Sequence, residues 1–182
     1  MPYNEKDYFE IIISGVGGQG KVSSGIILGE AASCYENKFA TMTCTYGTEA
    51  RGTFAKSDVL IGKEFIDFYE CQNPDVILVL HNKAYPKIKN KIFKDTILVV
   101  NKNEVDQIDE NMGKIFSFPL SDIAFEIGSL QTINIIALAF IVGKTKLIKK
   151  SSLVNAVKNK YSNADITKLN MTAIERGFRL LT

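Results

Sequence analysis

The sequence predicts a three-layer α/β domain: a mostly parallel sheet between helices, with one antiparallel strand among the others. Three observations predict it. Short apolar runs alternate with segments of helical period through residue 118, the pattern of strands joined by crossover helices. Several of those runs are apolar at nearly every position, which suits strands buried on both faces. Beyond residue 118 the chain turns helical. With 182 residues, 46% apolar and 23% charged, it fits a single domain over residues 1–182. No repeat, low-complexity tract or linker divides it.

The elements follow in order. Residues 9–14 (Phe-Glu-Ile-Ile-Ile-Ser) form a β-branched run that stops at a glycine cluster. Residues 21–36 read as a helix whose apolar stripe is Val22, Ile26, Ile27, Ala31 and Cys34. Small residues, Gly25 and Gly29 among them, allow that helix to pack closely on the sheet. Residues 39–46 and 55–61 are strands, and the connection between them is too short for a crossover helix, so direct pairing is antiparallel. Residues 75–80 and 96–100 are two buried strands, and the segment 82–93 between them contains a helix interrupted or started near Pro86. Residues 114–118 form a weaker strand that Pro119 closes. A long apolar helix spans 122–142 with a break near Gly128, and amphipathic helices cover 152–161 and 172–181.

Composition removes several function classes. A net charge of +2 is too small for a nucleic-acid binder, and the lysines at 144, 146, 149 and 150 read as a solvated surface. Cys34, Cys44 and Cys71 have no metal-site spacing, and one histidine cannot complete a zinc or iron–sulfur site. An odd cysteine count without a signal peptide points to reduced thiols and a cytoplasmic location. The longest apolar run, 133–142, is half the length of a membrane span and reads as a buried helix.

The first strand ends in Gly15-Val16-Gly17-Gly18-Gln19-Gly20-Lys21. Gly15, Gly17 and Gly20 satisfy the Rossmann-like G-x-G-x-x-G pattern, between a strand and a helix as that pattern requires. The second strand, however, ends in Thr-Cys-Thr-Tyr-Gly, with no acid for a ribose. The same string nearly matches a P-loop. There the residue after Lys21 should carry a hydroxyl for magnesium, but Val22 stands in its place and Ser23 is one position too late. Lys21 then reads as a surface residue or a weak contributor to an anion site. A stand-alone nucleotide-binding protein, a ligand-free tight turn, and a backbone groove for a partner chain all remain open at this point.

A second loop, Tyr46-Gly47-Thr48-Glu49-Ala50-Arg51-Gly52, follows the second strand. If the first two strands are parallel neighbours, both loops meet at the ligand-binding edge of the sheet. Arg51 offers a planar fork for a carboxylate or phosphate, Glu49 a partner for it, and Tyr46 a flat face and a hydroxyl. An ion pair of Glu49 with Arg51 that merely holds the loop is the alternative. His81, at the end of another strand, reads as a solvated strand end.

The two loops together resemble the gamma subunit of the 2-oxoacid:ferredoxin oxidoreductases. Gly128-Ser129-Leu130-Gln131-Thr132-Ile133-Asn134 and Ala173-Ile174-Glu175-Arg176-Gly177-Phe178 are similar to the family as well, so the resemblance covers nearly the whole chain. It implies a non-catalytic subunit of an enzyme that oxidatively decarboxylates a 2-oxoacid to an acyl-coenzyme A, with ferredoxin as electron acceptor. It implies that thiamine diphosphate and iron–sulfur clusters are held by partners: thiamine-binding alpha and beta subunits and a ferredoxin-like delta subunit. It also implies that the glycine edge helps to position coenzyme A through Gly15, Gly17, Gly18, Gln19, Gly20, Tyr46, Glu49, Arg51 and Gly52. The Tyr-Gly-Thr-Glu-Ala-Arg form is closer to the 2-oxoglutarate branch than to the indolepyruvate branch. Thr53, where a second glycine is frequent, and Lys21, where an apolar residue is frequent, depart from the family pattern.

Overall fold

The computed structural model of the chain describes residues 8–47 and 52–182. Its centre is β1 (Tyr8–Val16), where Ile11, Ile12 and Ile13 are all fully buried. Because alternate residues point to opposite faces, that burial requires a covered sheet on both sides. Six strands form it in the order β2-β3-β1-β4-β5-β6. β1 runs parallel to β4 (Val76–Val79), and β5 (Ile97–Asn101) and β6 (Lys114–Phe118) continue in the same direction. β3 (Phe54–Gly62) is the antiparallel strand; it pairs with β2 (Phe39–Tyr46) on one side and β1 on the other.

This corrects one expectation. The first two strands run the same way but are not neighbours, since the return strand β3 occupies the place between them. A hairpin-length connection leaves β3 beside β2, and its fully buried Val59 and Leu60 suit a position between two strands.

One face of the sheet presents Ile11, Ile13, Val59, Leu78 and Val99 to α1 (Lys21–Glu36) and to the C-terminal helices α3 (Leu120–Ile127), α4 (Ile133–Thr145), α5 (Lys150–Lys160) and α6 (Ala164–Arg179). The opposite face presents Ile12, Leu60, Ile77, Leu98 and Val100 to Cys71, to Val105 and to the short α2 (Tyr85–Ile88) with its following 3-10 turn, Lys89–Lys91. The three layers expected from the sequence are therefore present. Crossovers leave β1 and β4 on opposite faces, which opens a crevice beyond the C-terminal ends of these two strands.

Helix details refine the sequence reading. α1 buries Ser24, Gly25, Ile27, Leu28, Ala31 and Ala32, whereas Ile26 and Cys34 of the expected stripe are exposed. The seam against the sheet is set by small residues. A Cβ on Gly25 would run into the Met42 side chain and lie 3.3 Å from Val59. The long apolar helix does break at Gly128 (φ 100°), followed by a 3-10 turn, Leu130–Thr132, before α4. α4 buries every residue from 134 to 142. α6 begins eight residues earlier than the amphipathic pattern indicated. Asn163 caps it, its Oδ1 accepting from the amides of Asp165 (2.9 Å) and Ile166 (3.0 Å). The four lysines at 144, 146, 149 and 150 are exposed, as expected.

α4 and α6 cross at Gly177, where a Cβ would lie 2.6 Å from Ala139 and press on the Ile136 carbonyl. Gly177→Ala should therefore cost about 2 kcal/mol through forced separation of the helices. Urea unfolding should show a lower midpoint with the same slope; an unchanged midpoint would contradict this close crossing.

Candidate functional site

The crevice is built around the turn at residues 17–20. The amide of Val16 donates to Gln19 Oε1 (2.8 Å), and Gln19 Nε2 donates to the carbonyl of Leu80 at the end of β4 (3.3 Å). One side chain thus closes the turn and pins it to the neighbouring strand. Gly18 and Gly20 are in the left-handed region (φ 89° and 71°), where a Cβ is disfavoured. Gly20 is also crowded: a Cβ there would lie 2.7 Å from Asn134 Nδ2. Gly15 needs its lack of a side chain for space, since a Cβ would collide with Gln19 Oε1. Gly17 is not in the left-handed region; it serves as the crossing point where its amide donates to the carbonyl of Thr53 (3.2 Å).

That bond joins the two loops despite the intervening β3, because β3 begins directly beside the turn. Gly52 (φ 66°) accepts from Lys83 Nζ at 3.1 Å, which ties the second loop to the end of β4 as well. Tyr46 ends β2 on the face toward α1, in register two residues beyond Cys44, and is 65% exposed. Glu49 and Arg51 lie outside the described residues. The structure therefore brings Gly15, Gly17, Gly18, Gln19, Gly20 and Gly52 together and sets Tyr46 at the same sheet edge.

Lys21 is not a surface residue. It is 4% exposed, and its Nζ donates to the carbonyl of Val16, beneath the turn. Burial brings its pKa down to about 8, against a smaller upward pull from Cys44 on β2. Unlike a P-loop lysine, it bends back under the loop. Cys44 is half-buried and lies 3.3 Å from Ser57 Oγ. His81 accepts from the Lys83 amide at Nδ1 (3.1 Å), and its Nε2 stands 3.9 Å from Glu104.

On the other flank of the turn lies a cavity of about 550 Å³, lined in part by Gly18, Gly20, Ser23, Gln131, Asn134 and Tyr161. The N-termini of α1 and α4 converge there. The helical ladder of α1 starts with Ser24 N to Gly20 O (2.9 Å), so the preceding amides of its first turn are left for other acceptors. Among the described residues no side chain caps this end. Asn134, 3% exposed, donates through Nδ2 to Gly20 O (3.3 Å) and Ser24 Oγ (3.1 Å) and fixes the two helix ends together. Its Oδ1 is buried and has no partner among the described residues. Amides at a helix N-terminus and the positive end of the helix dipole favour an anion such as a phosphate. Ser23, one position too late for a P-loop hydroxyl, lines this cavity. Asn134 and Gln131 were visible only inside a family-like stretch, because nothing in local spacing reveals that α4 begins against Gly20.

Among the described residues no group of three His, Cys, Asp or Glu gathers to hold a metal ion. Cys34 is exposed on α1, Cys44 half-buried on β2, and Cys71 buried on the opposite face of the sheet, so the three do not form a cluster site. No helix among the described residues is long and apolar enough to cross a membrane.

Residues 10–180 match the family model described as pyruvate ferredoxin/flavodoxin oxidoreductase. The chain is 35% identical over 174 residues to the 2-oxoglutarate synthase subunit KorC of Methanocaldococcus jannaschii, covering 94% of this chain and 92% of that one. It superposes with a TM-score of 0.84 and 30% identity on the gamma subunit of a keto/oxoacid ferredoxin oxidoreductase from Geobacter sulfurreducens, across 94% and 97% of the two chains. It also matches, with a TM-score of 0.83 and 25% identity, the 2-oxoglutarate:ferredoxin oxidoreductase from Magnetococcus marinus, solved with 2-oxoglutarate, coenzyme A and succinyl-CoA bound. There it covers 97% of this chain and 31% of the longer one.

Two predictions follow from the turn. Gly18→Ala should cost about 1 kcal/mol through the left-handed backbone alone, and Gly20→Ala more, through strain and contact with Asn134; equal melting temperatures for the two variants would contradict the Asn134 contact. For Lys21, the folded-state pKa lies below the free value of 10.5, so between about pH 8 and 10.5 the unfolded chain binds the extra proton. The lysine's contribution to stability should therefore rise with pH in that window. Urea unfolding at several alkaline pH values should show the rise in the native chain and its loss in Lys21→Met.

Proposed function

The chain belongs to the pyruvate ferredoxin/flavodoxin oxidoreductase family, and on that premise we propose that it is the gamma subunit of a 2-oxoacid:ferredoxin oxidoreductase of the 2-oxoglutarate branch. Its KorC relatives are 2-oxoglutarate synthase subunits, which supports the branch. The whole enzyme would convert a 2-oxoacid and coenzyme A to an acyl-coenzyme A and carbon dioxide, passing two electrons to ferredoxin. Thiamine diphosphate would supply the decarboxylation chemistry and iron–sulfur clusters the electron path. The cysteines of this chain do not gather into a cluster site, which supports assigning the clusters to partner subunits; the family resemblance assigns thiamine diphosphate to partner subunits as well.

One observation carries the proposal for this chain's own role: a glycine turn that leaves helix amides toward a cavity where two helix N-termini meet. That arrangement suits an anion, and among the described residues no cavity-lining nucleophile is hydrogen-bonded to a side-chain base, which favours recognition over bond making. Coenzyme A is the phosphate-bearing substrate of the reaction. Gly18, Gly20 and Gln19 would present or hold the amides, Gly15, Gly17 and Gly52 would keep the two loops in contact, and Tyr46, Glu49 and Arg51 would complete the edge. A free-standing dinucleotide enzyme is the weaker reading, since antiparallel β3 occupies the place beside β1 where the ribose-binding strand would run.

The test is reconstitution with the partner subunits. Complex lacking this chain should fail to oxidise 2-oxoglutarate at physiological coenzyme A, and adding the chain should restore turnover. Normal turnover without it would overturn the assignment. In an assembled complex, Gly18→Val should raise KM for coenzyme A about tenfold or more, equivalent to roughly 1.4 kcal/mol of lost binding, while the KM for the oxoacid stays unchanged.

A further inference from the structure

The position of Lys21 is costly by general principles. It opens α1, so its charge meets the positive end of the helix dipole, and its side chain is buried. One carbonyl, that of Val16, offsets part of this. Cys44 is the titratable group facing it from β2. Among the described residues, the other charges at the rim are engaged elsewhere: Lys83 with the Gly52 carbonyl, Glu104 with His81. An anion seated over the N-terminus of α1 would offset both costs at once. The unpartnered Asn134 Oδ1, an acceptor buried at the same turn and lining the same cavity, calls for a donor such as a hydroxyl or N–H of a ligand whose anionic groups sit over the turn.

We propose that Lys21 is a positioning residue for the phosphate groups of coenzyme A: its ammonium fixes the Val16 peptide from beneath and places a full positive charge behind the amides of the glycine turn. The inference rests on the coenzyme A role assigned to this loop. Lys21 does not reach the ligand. It acts through the turn, and a buried charge acts at that range because little water screens it. Its hold on the ligand weakens when the ammonium loses its proton, an event that burial shifts to about pH 8.

The experiment uses the reconstituted complex with coenzyme A as the varied substrate. Lys21→Met keeps the length and apolar stem of the side chain but removes the charge. It should raise KM for coenzyme A about tenfold near pH 7 and leave kcat within about twofold. Lys21→Arg, which stays charged, should restore KM to within about threefold of the native value. Between pH 7.5 and 9.5 the KM of the native complex should rise relative to that of the Arg variant, which cancels the ionisations of coenzyme A itself. If the Met variant does not assemble, this native-to-Arg comparison decides alone. A KM for coenzyme A that is unchanged in the Met variant, or a native-to-Arg ratio flat with pH, would overturn the proposal. Gly18→Val, measured in parallel, separates the two failures: if it raises KM while Lys21→Met does not, the loop binds coenzyme A without help from Lys21. If neither does, the coenzyme A role falls with it.

Discussion

Burial of β1 on both faces is the constraint from which the rest of the architecture follows. Three consecutive isoleucines without exposed surface can exist only at the centre of a sheet with a layer on each side. That centre places the glycine turn, the continuation of β1, at the crevice between oppositely directed crossovers. It also requires a neighbour on each flank. β4 supplies one in parallel. β3 supplies the other in reverse, and by starting at the turn it brings the loop after β2 into hydrogen-bond contact with Gly17. The site is thus a product of sheet order as much as of the motif.

Much of this was legible in the sequence. The strand runs, the helix over 21–36, the break at Gly128 and the antiparallel hairpin all follow from local rules about period, connection length and glycine. What was not legible depended on tertiary contact. Ile26 fits the helical stripe, but Gly25 against Met42 sets the seam, so Ile26 faces out. Lys21 carries a charge, and charges belong at surfaces unless a buried carbonyl and a nearby turn accommodate them. The start of α6 turned on Asn163, a cap that hydrophobic periodicity does not register. The cavity flank with Asn134 required knowing that α4, over a hundred residues later in the chain, begins against Gly20.

The family relationship and the geometry answer different questions. The relatives share the fold across nearly the whole chain, and in the Magnetococcus enzyme the equivalent segment is part of a far longer chain. A module that occurs both as a separate polypeptide and as a stretch of a larger one must keep its core independent of the covalent link. Two clusters on the two faces of one sheet do so here: each is closed by helices and segments of the same module.

The double engagement of Gln19 has a further consequence. Its amide is satisfied at both ends by the scaffold, by Val16 and by Leu80, so the turn holds its shape before any ligand arrives. A flexible glycine-rich loop would have to be ordered at each binding event, losing backbone entropy of about 1 kcal/mol or more per residue. Here that ordering is completed once, when the domain folds, and association draws on a preorganised surface. Whatever docks on the turn therefore meets a fixed array of backbone groups and does not wait for a loop to order.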